Sequence, residues 1–221
     1  MDLVDSLIKE GWLKTPRIIE AFRQIKRVDF LPDDIKDLAE LNEALPIGYG
    51  QTISQPLVVA FMLELLDPRP GDKILDVGSG SGWTTTLLAE IVTSNKQQEK
   101  KGKIIAIDII PELVEFGKKN TEKYNFVEKG IVEFICADGS KGYQKEAPYD
   151  KILASASARE LPKPWKEQLK IGGRIVTPIG SSIWLFIKKT PSFAKATAGK
   201  ESEFEEIEYP GFAFVPLISE Q

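Results

Sequence analysis

Residues 73–83 read KILDVGSGSGW. The first five, Lys73 to Val77, form an apolar run of strand length, and a cluster of glycines at 78, 80 and 82 ends it. Glycine tolerates positive φ and, having no side chain, lets the backbone approach a ligand closely. Beyond the cluster, Leu87, Leu88, Ile91 and Val92 recur at helical spacing. The turn therefore delivers backbone N–H groups at a helix N-terminus, with Asp76 just before it.

The same unit repeats downstream. Lys103 to Asp108 (KIIAID) reads as a second strand, and Pro111 opens a second helix. Ile131 to Ala137 and Asp150 to Ala154 are further strands, and a fifth lies at or just beyond Gly173 to Pro178. Strands alternating with helices predict an α/β fold, a doubly wound and mostly parallel sheet covered on both faces. Upstream, Leu3, Leu7 and Ile8 share one helical face and Ile18, Ile19, Phe22 and Ile25 another, with Thr15 and Pro16 as a helix start. Residues 41–56 break the periodicity with glycines and prolines and read as a structured loop, followed by a helix from Leu57 to about Leu66. Near the end, Ile183 to Lys188 and Phe212 to Leu217 predict antiparallel strands, and a polar insertion near 190–202 reads as a mobile surface segment. The expected organisation is one structural domain. Residues 1–56 supply N-terminal helices and a site loop, and residues 57–221 form the core.

Composition narrows the chemistry. The 221 residues carry a net charge of −4, 42% hydrophobic and 28% charged residues, which suits an ordinary globular domain and offers no broad attraction to nucleic acid. Histidine is absent, so Ser-His-Asp and Cys-His triads are impossible. With one cysteine as well, a zinc site lacks ligands, and no metal is expected. Cys136 has no intramolecular partner and lies in a predicted strand, where an inert buried thiol is expected. No apolar run approaches the roughly 20 residues that span a bilayer. Asp2, Asp5 and Lys9 interrupt the N-terminal apolar residues, so no membrane association and a cytoplasmic location are expected.

The glycine spacing separates two cofactor classes. A dinucleotide fingerprint, G-x-G-x-x-G, would place its third glycine at Trp83. The observed G-x-G-x-G resembles the nucleotide turn of S-adenosylmethionine-dependent methyltransferases, whose cofactor has no pyrophosphate. Asp108 ends the strand beside this turn and can accept bonds from both ribose hydroxyls, or be a plain strand-end carboxylate. Asp138 with Gly139 ends the third strand. It can accept the adenine amino group, or simply form a turn.

Residues 45–56 (LPIGYGQTISQP), followed by ILDVGSGSG, AIDIIPEL, ADGS, EAPYDKI, LKIGGRIVTPIG and the closing FVPL, resemble the protein-L-isoaspartate (D-aspartate) O-methyltransferase family over nearly the whole chain. The QTIS segment paired with the terminal VPL is the most specific part. The resemblance implies a class I methyltransferase fold, Rossmann-like, with N-terminal helical additions. It implies methyl transfer from S-adenosyl-L-methionine to the α-carboxylate of L-isoaspartyl residues in damaged proteins, leaving S-adenosyl-L-homocysteine and initiating repair through a succinimide. By position it implies Ser54 as the active-site serine. Gln51, Thr52, Ile53, Asp76, Gly78, Ser79, Gly80, Gly82, Asp108, Ile109, Asp138 and Gly139 are expected at the cofactor, and Tyr49, Val215, Pro216 and Leu217 with Ser54 at the substrate. A monomer acting on isoaspartyl proteins and peptides is expected, with no nucleic-acid partner.

The chemistry suits these residues. A peptide carboxylate with a pKa of roughly 3.5 is already ionised at neutral pH and needs no general base. Ser54 then acts by hydrogen-bonding a carboxylate oxygen, or caps the helix that follows. Three departures from the family stand out: Tyr49 where many members have His, Ser155 to Glu160 (SASARE), and the insertion. The alternatives are another methyltransferase of this class, acting on tRNA or a small molecule, a catalytically weak relative, and a nicotinamide oxidoreductase. Trp83 and the absence of His weigh against the last.

Overall fold

The computed structural model describes residues 2–95, 102–190 and 203–219. Almost all of the insertion near 190–202 lies outside them. Two short helices, α1 (Leu3–Lys9) and α2 (Pro16–Gln24), lead through short 3-10 segments (Arg27–Phe30 and Asp33–Leu38) to an antiparallel hairpin, β1 (Leu45–Gly48) and β2 (Gln51–Ile53). The core follows as α3 (Pro56–Leu66), β3 (Lys73–Val77), α4 (Trp83–Thr93), β4 (Lys103–Asp108), α5 (Pro111–Glu122), β5 (Val132–Cys136), β6 (Tyr149–Ala154), α6 (Lys163–Gln168), β7 (Leu169–Ile179), β8 (Ser182–Lys188) and β9 (Phe204–Pro210).

The seven core strands form one sheet in the order β5-β4-β3-β6-β7-β8-β9. From β5 to β7 all neighbours are parallel, and β8 and β9 add antiparallel. The chain starts in the middle at β3, winds outward through β4 and β5, then returns to the other side at β6. A crevice opens at such a reversal, beyond the carboxyl ends of β3 and β6, because the connections leave in opposite directions. The KIIAID run of β4 is buried along nearly its whole length, as a strand flanked by neighbours and covered on both faces must be. Ile74, Leu75, Ile104, Ile105, Ile152 and Ile175, all 0% exposed, form the centre of the sheet. Among the described residues no helix is long and apolar enough to cross a membrane.

Three expectations change. Residues 45–53 form a hairpin, not a loop. Leu45, Ile47 and Ile53 point into the core, and the turn is Tyr49 and Gly50, which with the strand-end Gly48 are all at positive φ. Its strands are too short and too interrupted by Pro and Gly to show a period of two. The last strand is Phe204–Pro210, FEEIEYP, whereas residues 212–217 form only a single bridge, Ser157 to Pro216. Strand β9 is an outer edge, so its glutamates face water and mask the alternation. Cys136 is exposed, because it is the last residue of the opposite edge strand, β5.

Candidate active site

The crevice holds a cavity of about 370 Å³. Four stretches far apart in sequence wall it: residues 51–55 from the second hairpin strand onward, the turn 78–81, the strand end 107–110, and the extended segment 213–218.

Local chemistry explains the turn. Gly78, Gly80 and Gly82 all have positive φ, between +49° and +82°. The N–H groups of Gly78 and Ser79 both donate to the carbonyl of Ile107, at 2.8 and 3.0 Å, which ties the turn to β4. Asp108 reinforces the tie. One carboxylate oxygen accepts from the N–H of Gly80 at 2.9 Å and the other from that of Ile110 at 3.0 Å. An ionised carboxylate has about four acceptor sites, so capacity for a ligand's hydroxyls remains. Gly139, on the cavity wall, packs so closely that a Cβ there would come within 2.5 Å of the Val77 side chain, which also lines the cavity.

Two residues of the wall carry a buried polar atom without a partner: the Ser79 hydroxyl and the Trp83 indole nitrogen. A buried unpaired polar group is destabilising by roughly 1–3 kcal/mol, which a ligand can recover by bonding to it. These two atoms, the Asp108 carboxylate and the glycines of the wall fit a nucleoside-bearing ligand with polar ends.

The expected residues divide in two. Gln51, Thr52, Ile53, Ser54, Gly78, Ser79, Gly80, Asp108, Ile109, Gly139, Val215, Pro216 and Leu217 all line the cavity. Asp76, Gly82, Asp138 and Tyr49 do not. Asp76 is 0% exposed beneath the turn, where it accepts from the Thr85 hydroxyl at 2.6 Å. Burial first, and the charge of Asp108 second, push its pKa up to about 7 against the opposing Thr85 bond. Gly82 packs on α5: a Cβ there would lie 2.6 Å from the carbonyl of Gly117. The carboxylate of Asp138 accepts from the N–H and hydroxyl of Ser140 at 2.9 and 2.6 Å, as a turn-forming Asp does. Tyr49, 60% exposed, stands at the hairpin tip.

Sequence reasoning missed Val58, Trp83, Leu113, Ser155 and Ala156 as cavity residues. The SASARE segment thus supplies part of the wall. Only the adjacency of Trp83 to the glycine turn signalled its place. The terminal segment is held by Ser157, whose N–H donates to the Val215 carbonyl and whose carbonyl accepts from the Leu217 N–H, both at 2.8 Å. Among the described residues no group of three or more His, Cys, Asp or Glu is disposed to hold a metal.

The sequence profile of the protein-L-isoaspartate(D-aspartate) O-methyltransferase (PCMT) family matches residues 1–221. The protein-L-isoaspartate O-methyltransferase of Methanopyrus kandleri is 41% identical, over 99% of this chain and 91% of that one. Its namesake from Aeropyrum pernix is 43% identical, over 99% of this chain and 78% of that one. In fold the chain is similar to a Plasmodium falciparum protein assigned as a member of this enzyme class and crystallised with S-adenosyl-L-homocysteine. The TM-score is 0.82 at 21% identity, covering 98% of this chain and 96% of that one.

Proposed function

The chain belongs to the protein-L-isoaspartate O-methyltransferase family, and on that premise we propose how its cavity performs the family's reaction. That reaction is methyl transfer from S-adenosylmethionine to the α-carboxylate of L-isoaspartyl residues in damaged proteins. When bound, the cofactor supplies a methyl group activated by a sulfonium charge.

This chain's residues hold and align. The Asp108 carboxylate accepts the ribose hydroxyls, and the glycine turn and Gly139 line the room for the nucleoside. The unpartnered Ser79 hydroxyl and Trp83 indole N–H bond to its polar groups. Ser54 donates its hydroxyl to the acceptor carboxylate and holds one oxygen in line. The backbone of Val215 to Leu217 receives the peptide. The acceptor is ionised at neutral pH, so no side chain need remove a proton. An anion meets a cation and both charges disappear, so rate depends on alignment and on exclusion of water. The single cysteine suits a cytoplasmic setting.

One observation carries this reading: the QTIS segment, the glycine turn and the VPL segment face one another across a single cavity. The test is transfer of labelled methyl to a synthetic peptide containing L-isoaspartate, with the normal aspartyl peptide as control. Ser54→Ala should lower turnover on the isoaspartyl peptide about 100-fold while S-adenosylhomocysteine affinity by calorimetry changes little. Undiminished turnover in the variant would remove Ser54 from the alignment.

A further inference from the structure

Arg27, in the 3-10 turn Arg27–Phe30, is 5% exposed and does not line the cavity. Its guanidinium is nevertheless committed to the segment that ends in Ser54. One terminal nitrogen donates to the carbonyls of Ala39 and Leu41 at 3.1 and 3.0 Å. The other donates to those of Glu43 and Ser54 at 2.7 and 3.3 Å. The guanidinium carbon lies 5.4 Å from the centroid of the Trp83 ring. Burial pushes its pKa down to about 10, and the Glu40 carboxylate partly opposes this.

Arg27 is itself buried, so its donors need acceptors, and the carbonyls of this irregular segment supply them. A rigid planar fork can supply carbonyls on two sides at once, whereas the ammonium of Lys is a single point. Two of the groups that Arg27 touches, Ser54 and Trp83, are themselves cavity walls. We propose that Arg27 is a positioning residue for methyl transfer: lying over the Trp83 ring, its guanidinium clamps the carbonyls of residues 39, 41, 43 and 54 and so fixes where Ser54 meets the acceptor. The proposal rests on the alignment role of Ser54 given above.

The test compares Arg27→Lys with Leu7→Ala. The latter is a core substitution in α1 at a side chain 0% exposed, which lowers stability without touching the clamp. Both are assayed at a temperature where circular dichroism shows them folded. For Arg27→Lys, kcat on the isoaspartyl peptide should fall by about 30-fold or more, because a misplacement of about an ångström has effects of that order. Its affinity for S-adenosylhomocysteine should move less than about 3-fold, and backbone hydrogen exchange in residues 39–54 should accelerate about 10-fold or more, with the parallel sheet unchanged. Leu7→Ala should keep the parent kcat. Parent-like kcat and exchange in Arg27→Lys would overturn the proposal. So would an equal loss of kcat in Leu7→Ala, or an Arg27→Lys chain that cannot fold, since each makes the role purely structural. If the parent itself transfers no methyl to the peptide, the proposed function fails. The exchange measurement still decides whether Arg27 holds the segment.

Discussion

Two carboxylates lie near the glycine turn, Asp76 before it and Asp108 bonded to it, and burial gives them different tasks. Asp108 ties Gly80 and Ile110 at the cavity wall, where it can also meet a ligand. Asp76 lies underneath with one oxygen on Thr85 and the other without a partner. Its folded-state pKa of about 7 is well above the ordinary value of 3.8. Between about pH 4 and about pH 7 the folded chain keeps a proton that the unfolded chain has lost. Unfolding then releases a proton, so this residue's contribution to stability declines as pH rises through the window and levels off above it. Asp76→Asn removes that titration. The melting temperature of the parent relative to Asp76→Asn should therefore fall between pH 4.5 and pH 7.5, as scanning calorimetry can measure. A pH-independent difference would mean that Asp76 does not titrate there.

At the scale of elements, the turn is shaped as much by α5 as by its own residues. Gly117 lies inside α5, where glycine is about 1 kcal/mol worse than alanine. Propensity alone would favour Gly117→Ala. A Cβ at that position, however, would lie 2.8 Å from the carbonyl of Gly80 and 3.2 Å from the N–H of Gly82. Helix and turn meet backbone to backbone, and neither neighbour is a flexible side chain that could move aside. Gly117→Ala should therefore lower the melting temperature and weaken S-adenosylhomocysteine binding by about 10-fold, because it pushes Gly80 toward the nucleoside. A variant more stable than the parent, with unchanged affinity, would mean the two elements separate easily. The signal in the sequence was a lone glycine in a helical pattern, which marks close packing but does not name the partner.

Across the whole molecule, the site is completed by joining distant stretches. The segment after β9 returns over the sheet and is pinned by Ser157, in the connection that follows β6. Leu217→Pro deletes the N–H that the Ser157 carbonyl accepts, while the seven-stranded sheet has no need of it. Cofactor-product affinity should stay near the parent's, and KM for the isoaspartyl peptide should rise about 10-fold in steady-state assays. Unchanged KM would detach this segment from peptide binding.

The strands at 73–77 and 103–108 and the turn between them needed only local physics. The apolar runs at 73–77 and 103–108 predicted buried parallel strands because a strand covered on both faces has no polar side to show. The glycines at 78, 80 and 82 predicted the turn because their backbone angles are open to few other residues. What residues 204–217 would do depended on which stretch found a free edge of the sheet. FEEIEYP took it, with its glutamates turned to water, and the more apolar stretch after it became a cavity wall. The burial of Arg27, the exposure of Cys136 and the contact of Gly117 with Gly80 were decided in the same way. Each depends on which distant stretches of the chain come, or do not come, to lie beside it. A sequence displays the preferences of neighbours, and only packing determines which distant groups must satisfy one another.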